Sequence, residues 1–328
     1  MIEVHFQRGI QLQGSGLWLD PKDAKPLAFV SHAHSDHLAN HREIIASAAT
    51  ARLMQARIPA KRAENILPFG VPSEVLGMQV TLLPAGHILG STQIHLQSDQ
   101  GSLLYTGDFK LRPSLSAEAT QWKSADTLIM ETTFGLPRYC LPPTDSTLAE
   151  MVGFCRETLE TGAVPVLFAY SLGKSQEILC ALLQGGLTPM LHSAAFRMTE
   201  LYRELVPGFP SGYEAYCETQ VAGKVLICPP SARKTRMIQS LKHKRTAVLT
   251  GWALDPGAIY RYQVDAAFAL SDHADYPDLL RYVELVSPRR VYTVHGFATA
   301  FAQDLRARGI EAWALGKANQ LELAFPSR

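Results

Sequence analysis

A seven-residue segment, 31–37, constrains the fold of this chain most, because it holds three histidines and one aspartate directly after an apolar run at 27–30 that predicts a buried strand. In an extended chain, residues two apart point to the same side, so the first two histidines should converge on one point. The aspartate and the third histidine follow at the turn and can reach a second point. Imidazole with carboxylate suits zinc, manganese or iron, which predicts two metal ions at one strand end; a set of surface histidines is the alternative. The four side chains are His32, His34, Asp36 and His37.

Other predicted strands also end in a potential ligand or catalytic group. These strand-end residues are His87, Asp108, Glu131, His273 and His295. If His273 is reserved for a catalytic role, the remaining candidate ligands are five histidines and the carboxylates of Asp36 and Asp108. These seven side chains can fill the coordination of two four-coordinate ions only if one of them binds both. Asp108 is the expected bridge, because a carboxylate has two oxygens whereas an imidazole offers one lone pair. Nitrogen and oxygen ligands without cysteine favour Zn²⁺ and leave Mn²⁺ open.

Two further side chains each have two interpretations. Asp20 ends a predicted strand and precedes a proline, so it is either a turn cap or a carboxylate that orients a metal-bound histidine. Lys174 lies in Gly173-Lys174-Ser175, which is similar to the end of a phosphate-binding loop. The first glycine of that loop is missing, since position 168 is Phe168, which excludes a nucleotide site. Lys174 can still meet a substrate phosphate at a helix N-terminus, or it is a solvated lysine.

The order of the predicted elements indicates α/β organisation in two parts. Residues 145–255 alternate strands and helices, which predicts a small parallel α/β unit. Residues 1–144 and 256–328 carry the strand-end motifs and are expected to form one discontinuous domain. Within that domain, a helix is expected at 38–48 and a returning strand at 266–270.

Composition excludes some classes of protein and leaves others open. Apolar residues make up 47% and charged residues 19% of the 328 residues, which is typical of a globular chain. The formal net charge of +1 means that any polyanion would be held by a local patch. Five scattered cysteines, no signal-like start and no run of membrane-spanning length lead us to expect a cytoplasmic protein with no membrane partner. Basic side chains that could follow a phosphate backbone, or simply form a solvated face, are Arg233, Lys234, Arg236, Lys242, Lys244 and Arg245.

The strand-end motifs together resemble those of a known family. The histidine-aspartate segment at 31–37, followed by His87, Asp108 and the returning strands, is similar to the metallo-β-lactamase superfamily. Segments that look like motifs A, B and C of its β-CASP nucleases are 131–135, 271–273 and 294–296. Segments that resemble the bacterial DNA ligase-associated exonucleases of that group are 134–139, 172–176, 229–232 and 270–275. The resemblance covers nearly the whole chain.

The resemblance implies a fold and a role for each matched position. The fold would be an αββα sandwich, with residues 145–255 as the inserted β-CASP domain over a cleft for a nucleic-acid strand. One metal would be bound by His32, His34, His87 and Asp108, and the other by Asp36, His37, Asp108 and His295. His273 would act as general acid or phosphate contact, oriented by Glu131, with Asp36 also in the catalytic set. The predicted substrate contacts are Lys174, Ser91 and Thr132.

The function implied is a two-metal nuclease, in which a metal-bridging hydroxide attacks phosphorus. A DNA exonuclease acting in repair is the first hypothesis, and an RNA-processing nuclease of the same group is the alternative. A histidine at the position of His295 is associated with RNA-cleaving members, but the ligase-associated group also uses it. A thioester hydrolase would leave the inserted unit and His273 without a role, and a silent binding subunit would need no second metal. Association with a DNA ligase is implied by the resemblance alone.

Overall fold

A computed structural model describes residues 2–316 of the chain. The strands of this part are β1 Val4–Phe6, β2 Ile10–Leu12, β3 Trp18–Leu19, β4 Leu27–Phe29, β5 Glu43–Ala46, β6 Ala63–Ile66, β7 Ser73–Val75, β8 Met78–Pro84, β9 Thr92–Ser98, β10 Gly101–Tyr105, β11 Thr127–Glu131, β12 Val164–Phe168, β13 Pro189–Leu191, β14 Glu214–Ala215, β15 Val225–Cys228, β16 Lys244–Leu249, β17 Ala266–Phe268, β18 Arg290–Val294 and β19 Glu311–Ala314. The helices are α1 Ala48–Arg57, α2 Thr144–Glu160, α3 Lys174–Gln184, α4 Ser193–Leu205, α5 Arg236–Gln239, α6 Ala258–Tyr262, α7 Tyr276–Val286 and α8 Ala298–Ala307.

Two of the three sheets pack face to face. The first has the order β1-β2-β3-β4-β5-β6, and the second β19-β18-β11-β10-β9-β8-β7. Side chains alternate between the faces of each strand, so Leu103 of β10 points into the core shared with Phe29 of the first sheet, whereas Leu104 points outward to α7 and α8. On the far side of the first sheet, α1 covers Ile44. The layers are therefore helix, sheet, sheet and helix, which confirms the predicted fold class.

The third sheet is a separate parallel layer with the order β14-β13-β15-β12-β16-β17. Helices α2, α3 and α4 pack on one of its faces, and α5 packs on the other. Strand β17 pairs with β16, with Ala266 opposite Ala247, so the inserted unit extends through Phe268. This boundary differs from the predicted return to the first domain at residue 256. The reason is that the backbone of β17 is hydrogen-bonded to β16, at the edge of the inserted sheet, and the chain returns to the first domain only after this strand.

The predicted helix at 38–48 is also wrong. Its C-terminal half forms strand β5, in which Ile44 and Ile45 have no exposed surface. A strand buried on both faces loses the alternation that would distinguish it from a helix. The helix proper begins at Ala48, where the hydroxyl of Ser47 accepts a hydrogen bond from the backbone of Thr50 at 3.1 Å.

The carboxyl ends of several strands meet at one edge of the sandwich. In the second sheet β10, β11 and β18 are parallel, and β8 has the same direction because two antiparallel pairings separate it from β10. The loops that leave these strands, together with those after β4 and β17, carry the predicted metal ligands, Ser91, Thr132 and His273, whereas Glu131 ends β11 and Lys174 begins α3.

Candidate metal centre

Three imidazoles converge just after β4 and β8. His32, His34 and His87 each present one ring nitrogen, and the three nitrogens lie within 4.8 Å of one another. Each ring donates its other N–H to a fixed oxygen: His32 to the hydroxyl of Ser31 at 2.9 Å, His34 to the carbonyl of Leu172 at 3.1 Å, and His87 to a backbone carbonyl at 2.7 Å. These contacts set the tautomers, so three lone pairs face a common point.

Asp108 closes this group from the end of β10. Its Oδ2 lies 3.6 Å from Nε2 of His32 and 3.9 Å from Nε2 of His87. The approach depends on Gly107, which has φ +55° and whose added Cβ would lie 2.5 Å from the Cβ of Ser31. A side chain at this position would therefore push the loop after β10 away from the loop after β4.

A second group lies on the other side of the same carboxylate. His37 places Nε2 3.4 Å from Oδ2 of Asp108 and 3.8 Å from Oδ2 of Asp36, and its ring centre is 5.6 Å from that of His295. Both Asp36 and His295 are exposed, whereas His37 is buried. The structure thus brings all seven predicted metal-binding side chains to one place, with Asp108 between the two groups.

Asp20 orients this arrangement from behind. Its carboxylate accepts hydrogen bonds from the backbone and hydroxyl of Ser31, at 2.8 and 2.5 Å, and from the hydroxyl of Tyr105 at 2.9 Å. The same carboxylate lies 3.0 Å from Nδ1 of His37. Asp20 had two interpretations from the sequence, a turn cap or a carboxylate that orients a metal-bound histidine. Its position beside His37 favours the second. It contacts His37 directly and His32 through Ser31.

The donor set fits a divalent cation. Burial, reinforced by neighbouring imidazoles, lowers the pKa of His32 well below its usual value, and burial with charge on His273 lowers the pKa of His87 to about 3. These rings are therefore neutral, which is the form that binds metal. Nε2 of His32 is buried without a hydrogen-bond partner, and Nδ1 of His34 faces Nε2 of His87 at 3.0 Å. Ligands around a tetrahedral Zn²⁺ with bonds of about 2.0–2.1 Å are themselves about 3.3–3.5 Å apart, which is close to these separations.

Asp108 and His37 form the charged pair of the centre. Burial opposes ionisation of Asp108, but His37 holds the pKa of that carboxyl well below its usual value. Burial also opposes charge on His37, but Asp108 and Asp20 raise its pKa well above the usual value. The Asp108 carboxylate is therefore ionised at neutral pH, and a metal bound by His37 would replace the proton that the ring carries in its charged form.

His273 sits against this centre with a buried partner. Its ring centre is 4.6 Å from that of His87, and Nδ1 lies 2.8 and 3.0 Å from the two oxygens of Glu131. Glu131 has no exposed surface and also accepts hydrogen bonds from the backbone of Phe109 and the hydroxyl of Thr133. Burial of His273 lowers its pKa, but the Glu131 carboxylate outweighs this and raises the pKa to about 9. Nδ1–H is committed to Glu131, so Nε2–H is the free proton donor.

The three predicted substrate contacts have internal partners instead. The Ser91 hydroxyl accepts the backbone N–H groups of His87 and Ile88 at 3.1 and 3.2 Å. The Thr132 hydroxyl donates to the carbonyl of His295 at 2.7 Å. Both side chains are fully buried, and buried polar groups are normally satisfied inside the protein. Their placement differs from the prediction: they shape the backbone that carries two candidate ligands.

Lys174 is neither solvated nor free to meet a phosphate. It is 3% exposed, and its Nζ lies 2.6 Å from Oδ1 of Asp272. The carbonyl of Asp272 is the acceptor for Nδ1 of His87, so the inserted domain is linked to a candidate ligand through this pair. A second buried pair, Lys110 with Glu177 at 2.8 Å, also joins the two domains. Sequence reasoning missed Asp272 and Leu172, and backbone acceptors leave no residue signature that could have identified them.

The basic residues at 242–245 lie away from the centre. Lys244 and Arg245 begin β16, whose carboxyl end leads to Gly251 beside Phe134. The parallel neighbour β12 likewise ends at the loop that reaches His34. The start of β16 is therefore at the opposite edge of the inserted sheet, a full strand length from the candidate ligands.

Within residues 2–316, no helix is both long and apolar enough to cross a bilayer.

Comparison with known proteins gives one matching family model and a solved structure of similar fold. The family described as the Zn-dependent metallo-hydrolase RNA specificity domain matches residues 261–315. A crystal structure of a protein of unknown function from Enterococcus faecalis V583 is similar in fold, with a TM-score of 0.60, 15% identity, and coverage of 84% of this chain and 76% of that one.

Two curated relatives are informative in different ways. A probable DNA ligase of Opitutus terrae is 54% identical over 327 residues, which is 99% of this chain but 32% of that protein. The 5′ exonuclease Apollo of Gallus gallus is 26% identical over 280 residues, covering 82% of this chain and 58% of the relative. The chain thus spans about a third of the first relative and just over half of the second. The family match and these relatives show that the chain is similar to the β-CASP nucleases of the metallo-β-lactamase superfamily.

Proposed function

We propose that the chain is a nuclease that uses two divalent ions to hydrolyse phosphodiester bonds. One ion would be held by His32, His34, His87 and Asp108, and the other by Asp36, His37, Asp108 and His295. The observation that supports the proposal is the position of Asp108, whose Oδ2 lies 3.4–3.9 Å from the Nε2 atoms of His32, His37 and His87 and could therefore serve both ions. We assign Zn²⁺, with Mn²⁺ as the alternative, because the ligands are nitrogen and oxygen without sulfur. When bound, such a pair of ions activates water near neutral pH and neutralises phosphate charge.

The residues around the centre would perform the remaining chemistry. His273 would donate its Nε2 proton to the leaving oxygen, and Glu131 would hold the imidazolium in place. Asp20 would fix the ring of His37, and Lys174 would hold Asp272 where its carbonyl orients His87. The loop at 171–174 of the inserted domain would wall one side of the cleft and exclude water from that side.

DNA is the proposed substrate, and an exonuclease acting in repair is the proposed role. Similarity to a 5′ exonuclease and to part of a probable DNA ligase supports both. A physical ligase partner is part of the same proposal. RNA is the second candidate, supported by His295 and by the description of the family that matches residues 261–315. The proposal retains a cytoplasmic location, which suits five cysteines that are all unpaired.

Product analysis with end-labelled substrates tests the proposal. The purified chain is loaded with Zn²⁺ or Mn²⁺ and incubated with single-stranded DNA, duplex DNA and RNA of one sequence. Stepwise shortening of DNA with RNA intact is the expected result, and stepwise or internal cleavage of RNA alone would establish the second candidate. Binding without cleavage under either metal would overturn the enzymatic proposal. The control is His273→Ala with its metal content verified, which excludes a contaminating nuclease.

A further inference from the structure

Tyr170 is an aromatic side chain exposed at the candidate centre without a structural role there. It lies two residues after β12, and 62% of its surface is exposed. Its ring centre is 6.4 Å from that of His34, with an angle of 44° between the planes. Among residues 2–316, its hydroxyl has no hydrogen-bond partner in the protein. An exposed phenol ring therefore borders the place where the reacting phosphate would lie.

The backbone of Tyr170 is held firmly. Its carbonyl accepts hydrogen bonds from the backbone N–H of Ser175 at 3.1 Å and from the Ser175 hydroxyl at 2.6 Å. Two residues on, the Leu172 carbonyl is fixed by His34. Gly173 has φ +89°, and an added Cβ would lie 2.2 Å from Cγ2 of Ile88, so this loop is pressed against the loop of the first domain. The ring is thus presented by a rigid support.

Other exposed aromatic rings lack this position. Phe6, Trp122 and Tyr260 are also exposed, at 39%, 43% and 86%, but within the described residues none of them contacts an imidazole of the centre. Tyr170 also has the Nζ of Lys174 5.7 Å from its ring centre. The Lys174 ammonium is already paired with Asp272. The phenol ring of Tyr170 is therefore the group at this position that is free to contact a ligand.

We propose that Tyr170 stacks on the base of an unpaired nucleotide in the strand being cleaved. The inference rests on the proposed nuclease function and deepens it. If the phosphate of a nucleotide lies over the metal ligands, its base lies several ångströms to the side. The Tyr170 ring is at a comparable distance, 6.4 Å, from the ring of His34. Base–aromatic stacking tolerates any sequence because every base has a π-face. It requires a base free of its complementary partner, so the preferred substrate would have a single-stranded end.

The test measures kcat/KM on single-stranded DNA for the wild type and for Tyr170→Ala, Tyr170→Phe and Tyr170→Trp. A set of substrates carries one abasic residue at successive positions from the cleaved end. In the wild type, one abasic position should lower kcat/KM by about 5- to 150-fold, the loss expected for one stacked base. Tyr170→Ala should show the same loss on intact DNA and no further loss with that abasic substrate. The phenylalanine and tryptophan variants should retain most of the activity.

The matched control is Tyr260→Ala, which removes a more exposed tyrosine of the same domain and should leave kcat/KM unchanged. Metal content and melting temperature of each variant are measured alongside. Full activity in Tyr170→Ala would overturn the proposal. So would equal losses on all abasic substrates, or a loss in Tyr170→Phe as large as in Tyr170→Ala, because the hydroxyl would then be the essential group.

Failure of the nuclease function itself can be distinguished from failure of this inference. If the wild type cleaves no DNA, binding of single-stranded DNA that contains 2-aminopurine is followed by fluorescence, which falls when the base stacks. Quenching by the wild type that is lost in Tyr170→Ala would support the stacking contact without catalysis. Equal quenching by both proteins would overturn it.

Discussion

Replacing Glu131 by glutamine should weaken the general acid without emptying the metal centre. Glutamine keeps the shape of the side chain and an oxygen acceptor for Nδ1 of His273, but it removes the negative charge. The carboxylate has no exposed surface, and the imidazole is 21% exposed, so solvent screens their interaction little. The substitution therefore tests the effect of the Glu131 charge alone. Glu131 lies next to the proton donor His273 and is assigned to neither metal.

The size of the effect follows from the contact. A hydrogen bond to a charged group contributes about 1.5–3 kcal/mol, and one pKa unit corresponds to about 1.36 kcal/mol. Loss of the charge should lower the pKa of His273, which is about 9 with Glu131 in place, by about 1–2 units. A general acid must be protonated to act, so its contribution is lost as pH rises through its pKa. The alkaline limb of the pH–rate profile should move to lower pH by the same amount.

The assay is kcat/KM for DNA cleavage between pH 6 and pH 10 in the wild type, Glu131→Gln and His273→Ala. Any effect of bound metal on the pKa is common to the wild type and Glu131→Gln and cancels in the comparison. His273→Ala should lose about 10²–10⁴-fold in rate and retain its metal. Glu118→Gln is the matched control, since Glu118 accepts the backbone N–H of Gly90 without contacting His273. Superimposable alkaline limbs in wild type and Glu131→Gln, or metal loss in His273→Ala, would refute the assigned roles.

Three further predictions concern the supports of the centre. Asp20→Asn should weaken binding of one metal equivalent by about 10–100-fold, measured by competition with a chelator; unchanged affinity would contradict its orienting role. Lys174→Met should lower the free energy of unfolding by about 3–5 kcal/mol, because it leaves the Asp272 carboxylate buried and unpaired, and Asp272→Asn in the same chain should recover part of the loss in denaturant unfolding. Gly173→Ala should lower the melting temperature because its Cβ would overlap Ile88; an unchanged melting temperature would show that the two domains are not pressed together there.

The layered fold and the gathering of strand-end residues follow from local patterns. Alternation along β10 and β11 separates the core-facing Leu103 and Ile129 from outward-facing neighbours. The parallel direction of β10, β11 and β18 then brings their carboxyl ends to one edge. The strand-end pattern therefore predicted one shared edge for Asp108 and His295, whereas the grouping of His295 with Asp36 and His37 followed from the resemblance to the metallo-β-lactamase superfamily.

The supports of the site could not be predicted in the same way. The acceptor for His34 is the carbonyl of Leu172, 138 residues away, and the acceptor for His87 is the carbonyl of Asp272, 185 residues away. Any residue type provides a carbonyl, so the sequence carries no signal for these contacts. The ion pair of Lys174 depends on how the inserted domain docks, which local periodicity does not encode. The boundary at Phe268 was missed because a short strand such as β17 has the same pattern in either sheet.

The most direct test of the account is to locate the metals themselves. Crystals of the chain grown with Zn²⁺ or Mn²⁺ allow each ion to be placed by its anomalous scattering. The account predicts two peaks about 3.5–4 Å apart, one among His32, His34 and His87, the other beside His37, with the carboxylate of Asp108 contacting both. A single peak, or a second peak that Asp108 does not reach, would contradict the shared-carboxylate centre.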